Sequence, residues 1–238
     1  MTWPNPRRAS PLALISRSAL LANARLLQAR DADAVADLRR DAWGHGAELA
    51  ARTAARAGIR RVAVDARDRA LAESLGLRVV DAAPQNGALL YGMPGTGGAP
   101  VMSLVSPVLS TKRLLAGEGV SYGYTHRAAE DTRIALVAGG YAEGVVRALG
   151  NRASVEVGGA LRPIVGRVAM DVCVVDVGDG PVEAGDRAVF FGSGRVRDAL
   201  ARWAEVTGLS PAELVCTVGL HVEREAQDAR PDDQGAAA

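Results

Sequence analysis

Lysine is almost absent from these 238 residues: Lys112 stands alone among 28 basic side chains. Arginine supplies the rest, and its delocalised guanidinium stays protonated, so it does not form imines as a lysine amine does. Chemistry that needs a side-chain amine therefore has one candidate. Cysteine is scarce too. Cys173 and Cys216 are too few for a disulfide framework, and a reduced compartment is the default. Three histidines, His45, His126 and His221, lie too far apart to give metal-ligand spacing. No sign of charge dominates: the net charge is +1, which excludes a global pull toward nucleic acid. No apolar run reaches the roughly 20 residues of a membrane span. Residues Met1 to Pro11 carry no apolar core with a cleavage site. The expectation is a cytoplasmic protein with no membrane and no nucleic-acid partner. What is present, 48% hydrophobic and 23% charged residues, is the composition of a globular chain.

The first hundred residues alternate apolar runs and helical spacing. Leu12 to Ile15, Ala34 to Leu38 and Arg61 to Asp65 read as strands. Helices are expected from Ser18, from Ala47 to Ala57 and from Arg67 to Leu75. This is the rhythm of a parallel sheet or barrel. After Leu77 glycine and proline take over, with one short strand expected at Ala88 to Tyr91. The Gly92 to Gly98 stretch is not a phosphate loop, because no Gly-Lys-Ser/Thr follows it. From Val101 the texture changes to short apolar runs separated by turns: 101–108, 120–124, 133–137, 155–157, 163–168, 172–177 and 188–191. Gly158-Gly159 is a two-residue hairpin turn. Such spacing argues for an all-β domain. Helices then follow at 196–206 and from Ser210-Pro211 to about Val215.

Several strings carry a resemblance. Pro100-Val-Met-Ser-Leu, Ala116-Gly-Glu-Gly-Val-Ser-Tyr-Gly123, Gly140-Tyr-Ala-Glu-Gly144 and Pro163-Ile-Val-Gly-Arg-Val-Ala-Met-Asp171 keep the order and spacing of the alanine racemase C-terminal β domain. Upstream, Asp41-Ala-Trp-Gly-His-Gly46 resembles the segment after that family's cofactor lysine, and Asn86-Gly-Ala-Leu-Leu-Tyr-Gly92 the end of its last barrel strand. The chain thus resembles the alanine racemases, fold type III enzymes that use pyridoxal 5'-phosphate. The resemblance implies an α/β N-terminal partial (β/α) barrel-like domain at 1–100, an all-β C-terminal alanine-racemase-like domain at 101–224, and a disordered tail at 225–238. A complete barrel needs roughly 250 residues, so the middle of the barrel is missing. Three or four strands cannot close a barrel and leave edges to be covered.

The resemblance also implies roles. In the family a lysine anchors the cofactor as an imine, and a tyrosine from the partner subunit serves the opposite face. The tyrosine acid/base position falls on Tyr122. The substrate-contacting positions fall on Tyr141, with Glu143 where the family has aspartate, and on Met170 and Asp171. The imine lysine falls on Arg39, so the anchor is lost. Lys112 matches a different position. A phosphate-holding tyrosine falls on Leu220, and a lost hydrogen bond to a dianion is worth on the order of 1.5–3 kcal/mol. No bound cofactor is therefore expected.

Each position has a plainer reading. Tyr122 also suits a half-buried strand tyrosine, Tyr141 a glycine-flanked turn, and Met170-Asp171 a fold signature. His45 suits a packing histidine at a helix start, and both cysteines suit small core residues. Three functions stay open. The leading one is a non-catalytic racemase homologue, a homodimer or a heterodimer with a complete alanine racemase. The second is a true racemase anchored on Lys112. The third is a module binding a small carboxylate or amino acid, with Arg39 as the anion partner.

Overall fold

The computed structural model describes residues 10–81 and 87–228. Asn86 and the tail beyond 228 lie outside the described residues. The chain divides into two compact units. One comprises Leu14–Met102, Pro211–Leu220 and Arg224–Ala238; the other comprises Met1–Ala13, Ser103–Ser210 and His221–Glu223.

The α/β unit starts with β1 (Leu12–Ser16), which runs directly into α1 (Arg17–Arg30). Ser16 makes the junction, because its hydroxyl accepts from the Ala19 N–H at 3.2 Å and caps the helix. Then follow β2 (Val35–Asp37), α2 (Arg39–Gly44), α3 (Ala47–Ala57), β3 (Arg61–Ala63), α4 (Arg69–Ser74), β4 (Arg78–Val79) and α5 (Gly87–Leu90). Strands β2, β3 and β4 pair in parallel in that order. The expected strand at Ala88 to Tyr91 is instead the helix α5. A run of Ala-Leu-Leu-Tyr fits either state, and here tertiary contacts decide. Buried Asn23 of α1 donates to the carbonyls of Leu90 and Ala99 and accepts from the Ala99 N–H, fixing this segment against the helix.

Helix α3 buries Ala47, Ala50, Ala51, Thr53 and Ala54 on one side, against α1. Small side chains allow that close approach. Gly58, in the left-handed region, ends it.

The second unit is a closed barrel. Its strands are β5 (Met102–Leu114), β8 (Thr132–Ala138), β9 (Ser154–Val157), β10 (Ala160–Val165), β11 (Val172–Asp176) and β12 (Arg187–Phe191); a small ribbon of β6 (Gly119–Val120) and β7 (His126–Arg127) lies between β5 and β8 in sequence. All pairings are antiparallel. They run β5–β8–β11–β10–β9–β12, and β12 returns to β5. Alternation is clean where a strand faces the core on one side: β9 and β11 bury every second residue. Gly158 and Gly159, both at positive φ, turn β9 into β10.

Helix α6 (Ala199–Thr207) packs on β12. Its Trp203 meets Phe190 and Phe191 edge-on, at centroid distances of 6.4 and 5.3 Å. Helix α7 (Pro211–His221) and β13 (Glu223–Gln227) complete the chain. Glu225 to Gln227, expected in the tail, are thus strand. The run 120–124 is not one strand. It breaks at Ser121, whose φ is +61°, into a 3-10 turn at Tyr122–Tyr124.

Candidate functional site

In the α/β unit, β2 ends at Asp37 and Arg39 follows two residues later. Asp37 is buried. Its carboxylate accepts from the Arg39 Nε at 2.8 Å and from a terminal guanidinium nitrogen at 2.7 Å. This is a two-pronged pair, the strongest form of the contact. The Arg39 N–H and the Trp43 indole N–H add donors at 3.2 and 3.3 Å. The pairing with Asp37 holds the Arg39 guanidinium above its usual range. Its side chain is 43% exposed, so the pair stabilises less than a buried one.

The Trp43 indole fills the space beside this pair. It lies over Gly87, where any Cβ would meet it at 2.7 Å, and 5.2 Å from the Tyr91 ring. Tyr91 is fully buried and donates its hydroxyl to the Asp37 carbonyl. Burial pushes its pKa well up. His45 also stacks on Tyr91, with ring centroids 4.4 Å apart. It is only 2% exposed, with Nδ1 close to the carbonyls of Ala42 and Trp43 and no partner for Nε2 among the described residues. Burial drives its pKa down to about 4.

The intervening backbone is unusual. Arg40, Asp41, Ala42 and Trp43 all have φ of 54–55°, a left-handed turn built without glycine. Such residues cost about 1–2 kcal/mol each. Side chains hold the turn closed. Asp41 accepts from the Ala47 N–H at 2.7 Å and pairs with Arg224, which also reaches the Gly44 carbonyl at 3.1 Å. The Arg40 N–H donates to Asp65 at 2.7 Å. Gly44 and Gly219 of α7 touch backbone to backbone: a Cβ on Gly219 would sit 2.3 Å from the Gly44 carbonyl oxygen. Leu220 follows and is 55% exposed.

The barrel carries the remaining candidates. Tyr122 is 70% exposed and Tyr141 is 42% exposed. Tyr122 therefore does not match its half-buried strand reading, since it sits on the turn after Ser121. Two loops join this face. The Ser121 hydroxyl donates to the Arg167 carbonyl, and the N–H groups of Tyr141 and Ala142 donate to the carbonyls of Ala169 and Met170, each at 3.0 Å. Gly140 makes that contact possible, since a Cβ there would lie 2.2 Å from the Met170 oxygen. Glu143 accepts from the Gly140 N–H at 2.8 Å and closes the turn. Met170 is 53% exposed, and Asp171 is exposed beside it. The structure thus brings Tyr141, Met170 and Asp171 together and ties the Tyr122 turn to the same loop.

Comparison with known proteins gives this arrangement its family. The model of the alanine racemase C-terminal domain matches residues 101–226. The chain belongs to the alanine racemase family. An alanine racemase of Salinispora arenicola is 41% identical over 152 residues, covering 61% of this chain and 41% of that protein. One from Mycobacterium ulcerans is 45% identical over 122 residues, covering 50% and 31%. The chain thus spans less than half the length of the curated relatives it matches. The solved alanine racemase of Streptomyces coelicolor A3(2) aligns with a TM-score of 0.79 at 22% identity, over 93% of this chain and 99% of that one. The Bartonella henselae alanine racemase, which carries covalently bound pyridoxal phosphate, aligns at 0.77 and 17% identity. At those identities the likeness shows the fold.

The residues here do not fit an imine-bound pyridoxal phosphate. Arg39 offers a guanidinium already engaged by Asp37, and Leu220 has no hydroxyl. Lys112 belongs to β5, in the barrel, opposite Ile134. Sequence reasoning missed Asp37, Trp43, Tyr91 and Arg224. Asp37 had a signal: it precedes Arg39 by two residues at the end of a strand, the spacing at which side chains share a face.

Among the described residues no group of His, Cys, Asp or Glu is placed to hold a metal ion, and no helix is long and apolar enough to cross a membrane. Cys173 is buried in the barrel, where burial pushes its thiol up to about 12; Cys216 is half-buried and raised by the same cause.

Proposed function

We propose that this chain is a non-catalytic member of the alanine racemase family, acting as a structural or partner-binding homologue. One observation carries the reading: the guanidinium of Arg39 is engaged on two prongs by buried Asp37. A nucleophilic amine is absent there, and the nearest acid is spent on the cation. The same pairing weakens the carboxylate-binding alternative, because Asp37 already neutralises the cation and takes its Nε and one terminal N–H.

The barrel supports a partner role. Tyr122, Tyr141 and Met170 are left in water together with Asp171, and exposed Tyr and Met are the residue types that anchor protein interfaces. The partner is a second copy of the chain or a complete alanine racemase, with these residues offered across the interface. A cytoplasmic setting accompanies that role.

Two measurements test the reading. The purified protein, mixed with pyridoxal 5'-phosphate, stays free of the visible absorbance of a lysine imine and forms no D-alanine from L-alanine. Colour fixed to Lys112 by borohydride, together with D-alanine, overturns it. Co-expression with a full-length alanine racemase, followed by mass measurement, yields a complex or a homodimer. Recovery as a lone monomer beside that enzyme removes the partner role.

A further inference from the structure

The turn at Tyr122–Tyr124 seats two arginines whose charge the fold leaves unanswered. Arg167 lies with its guanidinium broadside over Gly123: a Cβ there would stand 3.5 Å from Nη1, 3.6 Å from Cζ and 3.9 Å from Nη2. This contact is with the glycine backbone, so it orders the group without neutralising it. Arg127 is held in a similar way at the next residue. Its Cζ lies 5.7 Å from the centre of the Tyr124 ring, and Nη1 donates to the Gly117 carbonyl at 2.9 Å. Both arginines are exposed. Neither forms an ion pair with a described residue.

The neighbouring acids do not supply the missing charge. Glu118 accepts from the Leu115 N–H at 2.9 Å, and Glu143 from the Gly140 N–H at 2.8 Å. Asp171, further along the loop from Arg167, is exposed and makes no ion pair with either arginine. The segment around Asn151 adds to the excess. Asn151 ties it to the turn, donating to Thr125 Oγ1 at 3.2 Å and accepting from the Gly166 N–H at 2.7 Å. Arg147 and Arg152 on that segment are exposed and likewise have no ion pair among the described residues. Arg113 and Arg202, elsewhere in the same unit, give the contrast: each has its acid, Asp131 and Glu205.

An ordered guanidinium in water, with N–H groups unused, is suited to a carboxylate, which it can take on two prongs. Ordering before contact lowers the entropy that the contact costs. The surroundings decide the class of partner. Tyr122 and Tyr124 stand exposed on the same turn, and tyrosine with arginine is the combination that anchors protein interfaces. The net charge of +1 gives no wider field for a nucleic-acid backbone.

We propose that the Tyr122–Tyr124 turn docks an acidic protein segment, with Arg127 and Arg167 each taking a carboxylate of its own. The proposal rests on the partner-binding reading and gives that partner a chemistry.

Acetyl-hexaglutamate amide is the probe. Acetyl-hexaglutamine amide is its uncharged control, and hexauridylate represents nucleic acid. Backbone amide shifts of the full chain are followed by NMR during titration with each. Hexaglutamate gives saturable shifts centred on residues 119–127 and 166–168, hexaglutamine gives none, and hexauridylate binds more weakly. Arg127→Gln and Arg167→Gln each lower the affinity for hexaglutamate about threefold, and together about tenfold. Arg25→Gln, which removes an exposed and unpaired arginine of α1, changes nothing. The substituted side chains are exposed, so each variant keeps its melting temperature and loss of binding is not loss of fold. Absence of saturation, tighter binding of hexauridylate, an equal loss in Arg25→Gln or unchanged affinity in the double variant overturns the proposal. Co-expression of the double variant with the full-length racemase separates it from the reading beneath. A complex that survives undiminished keeps the partner role and removes the acidic segment. Hexaglutamate binding by a chain that forms no complex keeps the acidic recognition and removes that partner.

Discussion

The two units treat their notable residues in opposite ways. In the α/β unit the candidate positions are turned inward on each other. Asp37 is matched to Arg39, Trp43 lies against Gly87 and Tyr91, and Arg224 is matched to Asp41. In the barrel, Tyr122, Tyr141 and Met170 have no such enclosure and stand in water. A region whose groups satisfy each other contributes to stability; a region that leaves aromatic side chains exposed is available for contact with something else. The contrast makes a sharp expectation. Changes in the first region alter melting, and changes in the second alter association.

The largest effect belongs to the backbone contact that supports the left-handed turn. Gly219→Ala drives a methyl group against the Gly44 carbonyl and destabilises by at least about 3 kcal/mol, read by denaturant unfolding. Near-normal stability would show that the turn yields easily and the contrast is overstated.

Acid comes next. His45 in the folded protein has its pKa lowered from 6.5 to about 4, so it binds fewer protons than in the unfolded chain. Its contribution is complete above pH 6.5 and is lost as the pH falls toward about 4, roughly 3 kcal/mol at most. Melting curves across that window, compared with those of His45→Gln, isolate this slope; the variant's is shallower.

Asp37→Ala follows, at about 1–2 kcal/mol. It leaves the Arg39 guanidinium and the Trp43 indole N–H without their acceptor, and the exposure of Arg39 moderates the cost. Tyr122→Ala is the smallest in stability, within about 0.5 kcal/mol, because the side chain is exposed. Its effect falls on association, measured by sedimentation. A large loss of stability there would erase the distinction between the two regions.

Much of the scaffold was legible because it rests on local patterns. Ala47 to Ala57 was readable as a helix from its alanine spacing, and the Gly158-Gly159 turn from its two glycines. The barrel strands were readable from alternation. Their closure was not, since it depends on β5 meeting β12 about 80 residues away. Along the candidate sites, the positions of Arg39, Tyr122, Tyr141 and Met170 came from motif spacing. What surrounds them did not. That Arg39 turns to Asp37 depends on a buried carboxylate seeking a charge. The turn at Arg40 to Trp43 contradicts local preference altogether, because its four non-glycine residues stay left-handed only under tertiary restraint.

The ring formed when β12 meets β5 has one more implication. Each of the six strands in the ring has a neighbour on both sides, so their amide and carbonyl groups are largely spent on one another. Under the proposed partner role, recognition then runs through side chains on the connecting loops, the turns around Tyr122, Tyr141 and Met170 among them.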